Sequence, residues 1–535
     1  MPAPSTLAGA ALPAWAQDAL RSAAQALSSV NLTAATVAQC VLAGLVLFVV
    51  LEQWRFKHKA RFGKGSVPTT AAGGTPVPVV GGLIEMIYDP FRFWDNIIST
   101  AMQTGGLCWH SIFGVYTLLL ADIDDIRQSF SRNNDKEFMM AIHPNAHWIL
   151  GPKNIAFLHG PMHKELRRSF VGLFTRKALE QYVAKQDGII RDWIRPWARD
   201  TAAAPTEVRM WIRDMNAWTS QEVFAGPYLG DHAAREKFSH AYIAMTEGFL
   251  AFPVCLPGTA VWRGRQGRYH ILDVLEKAAA AARERDLRGE PPVCLMDYWA
   301  HEVNRIVADA EKSGSPLPEF ANNHRMADVV MDFLFASQDA STASLVWVLA
   351  LMADHPDVYQ RVREEQLRVR GADAASLEKP ITGEVLEKMT YTRQVVKEIL
   401  RFRPAAPMVP QWSMSDQTMN GTGYTCPKGA LVMPSLIAAC HTGFPNPEKF
   451  DPDRFDVNGR NEGDKYGKHW LPFGLGAHYC VGREYAQNHL AAFLAILSTT
   501  YDIERERTPK SDEYIYLPTI YPADSRIRFK SATVA

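Results

Sequence analysis

Helical spacing dominates the pattern of apolar and polar positions along the chain. Apolar residues recur every three to four positions through 181–198, 233–249, 270–288, 326–352 and 383–401, which places them on one face of a helix. The stretch 326–352 is apolar almost all round, so it predicts a buried helix about 40 Å long at 1.5 Å per residue, ended by Asp354-His355-Pro356. Strand-like runs are fewer and shorter: 115–120, and the piece around 430–433 after the turn-like Cys426-Pro427-Lys428-Gly429. The pattern predicts a mainly α fold with a small β component.

One apolar run stands apart from this amphipathic pattern. No charged residue occurs between Arg21 and Glu52, and 32–51 is mostly Val, Leu, Ala and Phe, about the 20 residues that cross a bilayer. Thr33, Thr36 and Gln39 interrupt it, but the alternative of a cleaved signal or transit peptide lacks both a charged n-region and a small-residue cleavage site. Arg55, Lys57, Lys59, Arg61 and Lys64 follow, and the positive-inside rule puts that flank and all that comes after it in the cytosol. The chain therefore divides into a lumenal segment 1–31, a transmembrane helix 32–51, a basic flank with a Pro/Gly-rich hinge through 52–82, and one large folded body, 83–535. Beyond Gly82 no comparable linker or internal repeat occurs.

Composition narrows the function classes. With 535 residues, 47% of them hydrophobic, the chain can bury a large core. Its 57 basic residues balance 57 acidic ones, so neither a nucleic-acid partner nor an acidic tail is indicated. Seven cysteines, an odd number without paired spacing, argue against a secreted disulfide framework and leave any one of them free to bind a metal.

The cysteine with an unusual setting is Cys480, in Phe473-Gly474-Leu475-Gly476-Ala477-His478-Tyr479-Cys480-Val481-Gly482, just before the helix-compatible 483–490. Glycines let backbone amides approach the sulfur, and a helix N-terminus favours its thiolate. A thiolate bound to haem iron pushes electron density into bound oxygen and favours O–O cleavage. A structural cysteine in a Gly-rich turn is the alternative for Cys and Gly alone. The complete F-x-x-G-x-x-x-C-x-G string, with Phe473, Gly476 and Gly482 in place, goes well beyond that.

This string resembles that of the cytochrome P-450 family, and further matches follow. Glu398 and Arg401, one helical turn apart, with Arg454 in Phe450-Asp451-Pro452-Asp453-Arg454-Phe455, resemble the family's buried Glu-Arg-Arg structural triad. His163 and Arg167, at i,i+4, stand where the family more often has a Trp and an Arg facing the haem propionates, and His478 replaces the usual Arg two residues before the cysteine. Phe335-Ala336-Ser337-Gln338-Asp339-Ala340-Ser341-Thr342 aligns with the family's oxygen-activating segment; the alternative is a helix kink around a satisfied polar cluster. Where most relatives carry threonine this chain has Ala340, which can neither donate nor accept, so Asp339 with Ser341 is expected to form the proton path. Taking Ala340 as facing the haem, Ser341 lies nearer that face than Thr342 at roughly 100° per residue. Thr342 is then expected to be structural.

Within the family the resemblance is strongest to the sterol 22-desaturases of fungi, plants and algae. They share the Phe-Ala-x-Gln-Asp-Ala-Ser string, the His-for-Arg exchange at His478, and stretches resembling His143-Pro144-Asn145-Ala146, Ile149-Leu150-Gly151-Pro152 and Leu173-Phe174-Thr175-Arg176-Lys177-Ala178-Leu179. The resemblance implies the P-450 fold for 83–535, haem b ligated by Cys480, O2, electrons from NADPH through a partner reductase, and a sterol desaturated at carbon 22. It also implies an endoplasmic reticulum membrane location with a cytosolic catalytic domain, and substrate contacts at His147, Phe335, Met408 and Val409. An ordinary sterol or fatty-acid hydroxylase, a peroxide-isomerising haem-thiolate enzyme and a non-catalytic haem or sterol-binding membrane protein are the rival readings.

Overall fold

The computed structural model describes residues 34–70, 81–516 and 519–532. The N-terminal unit is the helix Ala34–Lys59, of which Ala35–Lys59 is long and apolar enough to cross a membrane. The helix runs on beyond the expected end at 51, so Arg55, Lys57 and Lys59 belong to its last turns. The segment 1–31 and residues 71–80 of the expected hinge lie outside the described residues. What is described of the hinge begins with a tight hairpin in which Arg61–Phe62 pairs antiparallel with Gly65–Ser66.

The body is mainly helical with small sheets at its edge. Its axis is the helix Asn323–Asp354, 32 residues long and buried over most of its length. Asn322 caps it by accepting from the Arg325 amide, and Pro356, which cannot continue the helix, starts the next one, Pro356–Arg370. Arg176–Ile194, Arg209–Ala225, Ala260–Leu287, Thr390–Phe402 and Arg483–Thr500 pack around this axis. Two of the surrounding helices, His232–Phe249 and Ala260–Leu287, approach each other unusually closely, and glycine is the reason. A Cβ on Gly267 would stand 2.3 Å from the Ala241 carbonyl oxygen, and one on Gly264 2.9 Å from that of Ala244.

The largest sheet orders its strands Leu107–Ile112, Val115–Leu120, Leu431–Pro434, Gln411–Ser413 and Phe138–Met140. Leu431–Pro434 runs parallel to Val115–Leu120, so a late segment of the chain is tied to an early one. That pairing brings the turn at 405–409, just ahead of Gln411, to the wall of the cavity described below.

Beside the cysteine loop lies a buried charge cluster. Arg401 Nε and Nη2 donate to the two Glu398 carboxylate oxygens at 2.7 and 2.9 Å, and Arg454 Nε donates to Glu398 Oε1 at 3.3 Å. All three side chains are 2% exposed or less. Glu462, to which no spaced motif points, accepts from Arg454 Nη1 at 2.9 Å and makes the cluster electrically even. The spare guanidinium donors bind the carbonyls of Cys440, Pro445, Asn446, Pro447 and Lys449. The cluster thus pins the irregular chain 440–449 to the helix Thr390–Phe402. Removing one partner of a buried charged set leaves the others uncompensated, at a cost of about 3–5 kcal/mol. Glu398→Ala is accordingly expected to lower the urea midpoint of unfolding sharply; an unchanged midpoint would contradict a stabilising role.

Candidate active site

Cys480 opens into a cavity of about 400 Å³ whose walls are largely apolar. The loop before it is irregular, and three contacts fix its path. The Cys480 amide donates to the Phe473 carbonyl at 3.0 Å. Gly476, at φ +77°, lies so close to the Phe130 carbonyl that a Cβ would stand 2.5 Å from its oxygen. Arg167 Nη2 donates to the Tyr479 carbonyl at 2.7 Å, joining the loop to the helix Gly160–Ser169. Phe473, His478, Tyr479 and Gly482 all line the cavity, whereas Gly476 acts from behind it.

The sulfur is accessible from the cavity although protein encloses it closely. Burial raises its thiol pKa, while the Gly482 amide and the Arg167 charge pull it back down. Coordination to a metal cation deprotonates a thiol outright. Cys108, Cys294, Cys426 and Cys440 are buried in the core, with thiols pushed up to about 12 or beyond, and no other cysteine lines the cavity.

At one edge of the cavity four nitrogen-bearing side chains meet. The His163 and His478 rings stack with centroids 4.1 Å apart, and His478 Nε2 lies 3.3 Å from His159 Nδ1. Burial, with smaller contributions from the neighbouring histidines and from Arg167, lowers the pKa of His478 to about 3 and that of His163 to about 4. Three neutral imidazoles therefore surround one permanent cation. His159 Nε2 is buried without a hydrogen-bond partner among the described residues. This site has spare donors and an unmatched positive charge, which is what a carboxylate-bearing group needs. His159 was not singled out from the sequence: it precedes the helix of His163 and Arg167, and only its i,i+4 spacing to His163 hinted at it.

The opposite wall is the central helix. Asp332, Phe333, Ala336, Ser337, Ala340, Ser341 and Ser344 line the cavity at three- and four-residue spacing. Asp339 and Thr342 do not. The Asp339 carboxyl, its pKa raised by burial and eased by Arg213, turns away from the wall, and Thr342 Oγ1 accepts from buried Asn216. Of the four residues expected to touch substrate, Val409 lines the cavity. His147 is exposed and packs on Phe157, Phe335 packs on Phe249, and Met408 bridges to Ser435; none of these three is part of the wall.

A haem suits these residues. Among the described residues no three His, Cys, Asp or Glu side chains converge as ligands, so a metal at Cys480 must bring its other ligands with it, as a porphyrin does. Its apolar rings match the walls, and its carboxylates match the unpaired donors of His159 and Arg167. The geometry thus fits a cofactor held at one cysteine beside an apolar cavity.

The comparisons with known proteins make the class specific. The Cytochrome P450 family model matches residues 72–519, and the chain belongs to that family. It is 35% identical to cytochrome P450 710A3 of Arabidopsis thaliana, over 94% of this chain and 98% of that one. It is 32% identical to the C-22 sterol desaturase erg5 of Aspergillus fumigatus, over 83% and 86%. A retinoic acid-bound cyanobacterial CYP120A1 shares the fold with a TM-score of 0.70 at 23% identity, covering 87% of this chain and 99% of that one. Family membership implies a haem-thiolate centre, dioxygen and electrons supplied by a redox partner.

Gly476→Ala puts a side chain where the Phe130 carbonyl already lies and strains a left-handed backbone. The variant is expected to be isolated with little haem, measured as the ratio of haem to protein absorbance. Full haem occupancy would show that the loop does not need this close approach.

Proposed function

We propose that this protein is a C-22 sterol desaturase. The observation that carries the reading is an apolar cavity, bounded by Cys480 and the Ala340–Ser341 turn, in a chain that aligns over 83% of its length with a C-22 sterol desaturase. In the overall reaction the saturated carbon 22–carbon 23 bond loses two hydrogens, and O2, NADPH and a proton yield two waters and NADP+.

Cys480 would hold the haem iron, and Arg167 with His159, His163 and His478 would hold its carboxylates. Bound there, a haem-thiolate supplies reductive activation of dioxygen. The chain's own residues do the rest. Ala336, Ala340, Val409 and Leu436 give the sterol side chain an apolar lodging that excludes water, so the carbon–hydrogen bonds at carbons 22 and 23 meet the reactive centre without competing solvent. Ala340 offers no hydroxyl, and Ser341 is the alcohol of the Asp339–Thr342 turn that lines the cavity, so Ser341 is placed to hold and donate a proton from its Oγ into the cavity. Asp339, held toward its protonated form by burial, faces away from the wall and would replenish that proton through intervening water. The apolar helix Ala34–Lys59 and its basic end favour an endoplasmic reticulum anchor with the body in the cytosol. There a membrane-dissolved sterol and an NADPH–cytochrome P-450 reductase are both within reach.

The test is incubation of the full chain in microsomes with reductase, NADPH and 22-saturated sterols, read by mass spectrometry. A product lacking two hydrogens supports the proposal; a product carrying one added oxygen makes the enzyme a hydroxylase instead. Loss of one positioned proton donor typically costs ~10² to 10⁴-fold in rate. Ser341→Ala should therefore slow turnover on that scale and raise the peroxide released per NADPH, with haem content unchanged, while Thr342→Ala should change coupling little. The reverse ranking would give Thr342 the role.

A further inference from the structure

Three successive carbonyls of the central helix accept hydrogen bonds from outside the helix. Asn216, on Arg209–Ala225, directs Nδ2 at the Ser337 carbonyl at 3.2 Å, the Gln338 carbonyl at 2.9 Å and Thr342 Oγ1 at 3.1 Å. From the other side, Thr519 Oγ1 and Tyr521 Oη donate to the Asp339 carbonyl at 3.4 and 3.2 Å. Asn216 is fully buried, and its own Oδ1 finds no partner among the described residues. An apolar residue there would avoid that cost, so what the asparagine contributes is its donor group.

The two carbonyls Asn216 holds are of a particular kind. A serine in a helix ordinarily turns its hydroxyl back to the carbonyl three or four residues earlier. Ser337 does so, donating to Leu334 at 3.0 Å. For Ser341 those two acceptors are Gln338 and Ser337, the pair taken by Asn216. Ser341 makes no hydrogen bond to the described residues through its hydroxyl and lines the cavity. We infer that Asn216 is a positioning residue: by occupying the Ser337 and Gln338 carbonyls it denies Ser341 its local acceptors and keeps that hydroxyl free for the cavity. The inference rests on the reading of Ser341 as the proton donor. It also accounts for Thr342 being held away, since its hydroxyl accepts from the same amide.

The test uses the haem-loaded full chain and Asn216→Leu, which keeps the branched shape and removes the donor. Two measurements are made: peroxide released per NADPH with sterol and reductase, and amide hydrogen exchange of the peptide containing Ser341 and Thr342. With Asn216 gone the Ser337 and Gln338 carbonyls serve the Ser341 and Thr342 amides alone, so exchange of those amides should slow, roughly fivefold at most, the scale of one hydrogen bond. The peroxide fraction should rise as it does in Ser341→Ala. In a Ser341→Ala background Asn216→Leu should then add less than about twofold, because both act through one hydroxyl. Faster or unchanged exchange, or equal multiplicative losses in both backgrounds, overturns the inference and makes Asn216 a packing residue. If Asn216→Leu fails to take up haem, Asn216→Ala is read by the same measurements. Should Ser341→Ala couple as well as the wild type, the proton-donor reading itself falls and takes this inference with it. The exchange measurement distinguishes that case from a failure at Asn216 alone.

Discussion

A thiol enclosed by apolar protein resists ionising, and yet the chemistry of this family needs a thiolate, the role proposed for Cys480. Burial raises the Cys480 pKa; the Gly482 amide and the Arg167 guanidinium, which oppose that rise, are the local help the fold gives. Both depend on a loop with no regular structure. That loop holds its shape because Gly476 rests against the Phe130 carbonyl and Arg167 grips the Tyr479 carbonyl. Arg167 therefore serves the loop in two ways, tying it to the helix Gly160–Ser169 and placing a fixed positive charge beside the sulfur.

The same constraint explains the surroundings. A carboxylate-bearing cofactor needs counter-charge, but a cluster of permanent cations would repel itself in so dry a place. One arginine with three neutral imidazoles avoids this: His159, His163 and His478 can donate hydrogen bonds without adding fixed charge. On the far side the central helix presents small residues, Ala336 and Ala340, which leave room over the thiol. None of the Glu398, Arg401, Arg454 and Glu462 side chains lines the cavity. The cluster holds the 440–449 segment against the helix Thr390–Phe402.

Much of this could be read from the residues, and the reasons for the rest are physical. The strand 115–120 was legible because it runs through β-branched, aromatic and apolar residues, Val115-Tyr116-Thr117-Leu118-Leu119-Leu120, and the central helix because it is apolar almost all round. Ala260–Leu287 begins ten residues before the expected 270, because its first turns pack through Gly264 and Gly267, which carry no apolar signal. The expected helix 383–401 is two, Gly383–Lys388 and Thr390–Phe402, since Met389 leaves helical geometry at ψ 66°. The short strands Phe138–Met140 and Gln411–Ser413 exist by pairing with each other and could not be seen one at a time. At the site, Cys480, His163, Arg167 and the Glu-Arg-Arg set were legible because each sits in a spaced motif. His159, Glu462 and Asn216 are brought in by tertiary packing, which spacing does not encode.

The account stands on Cys480 as the thiolate ligand, and the absorption spectrum of the reduced, carbon monoxide-treated protein tests that most directly. The wild-type chain should give the red-shifted ferrous–CO band that distinguishes thiolate from imidazole ligation, and Cys480→Ser should lose it, whether or not haem is retained. The same band surviving in Cys480→Ser would place the iron elsewhere and contradict the reading of the cavity.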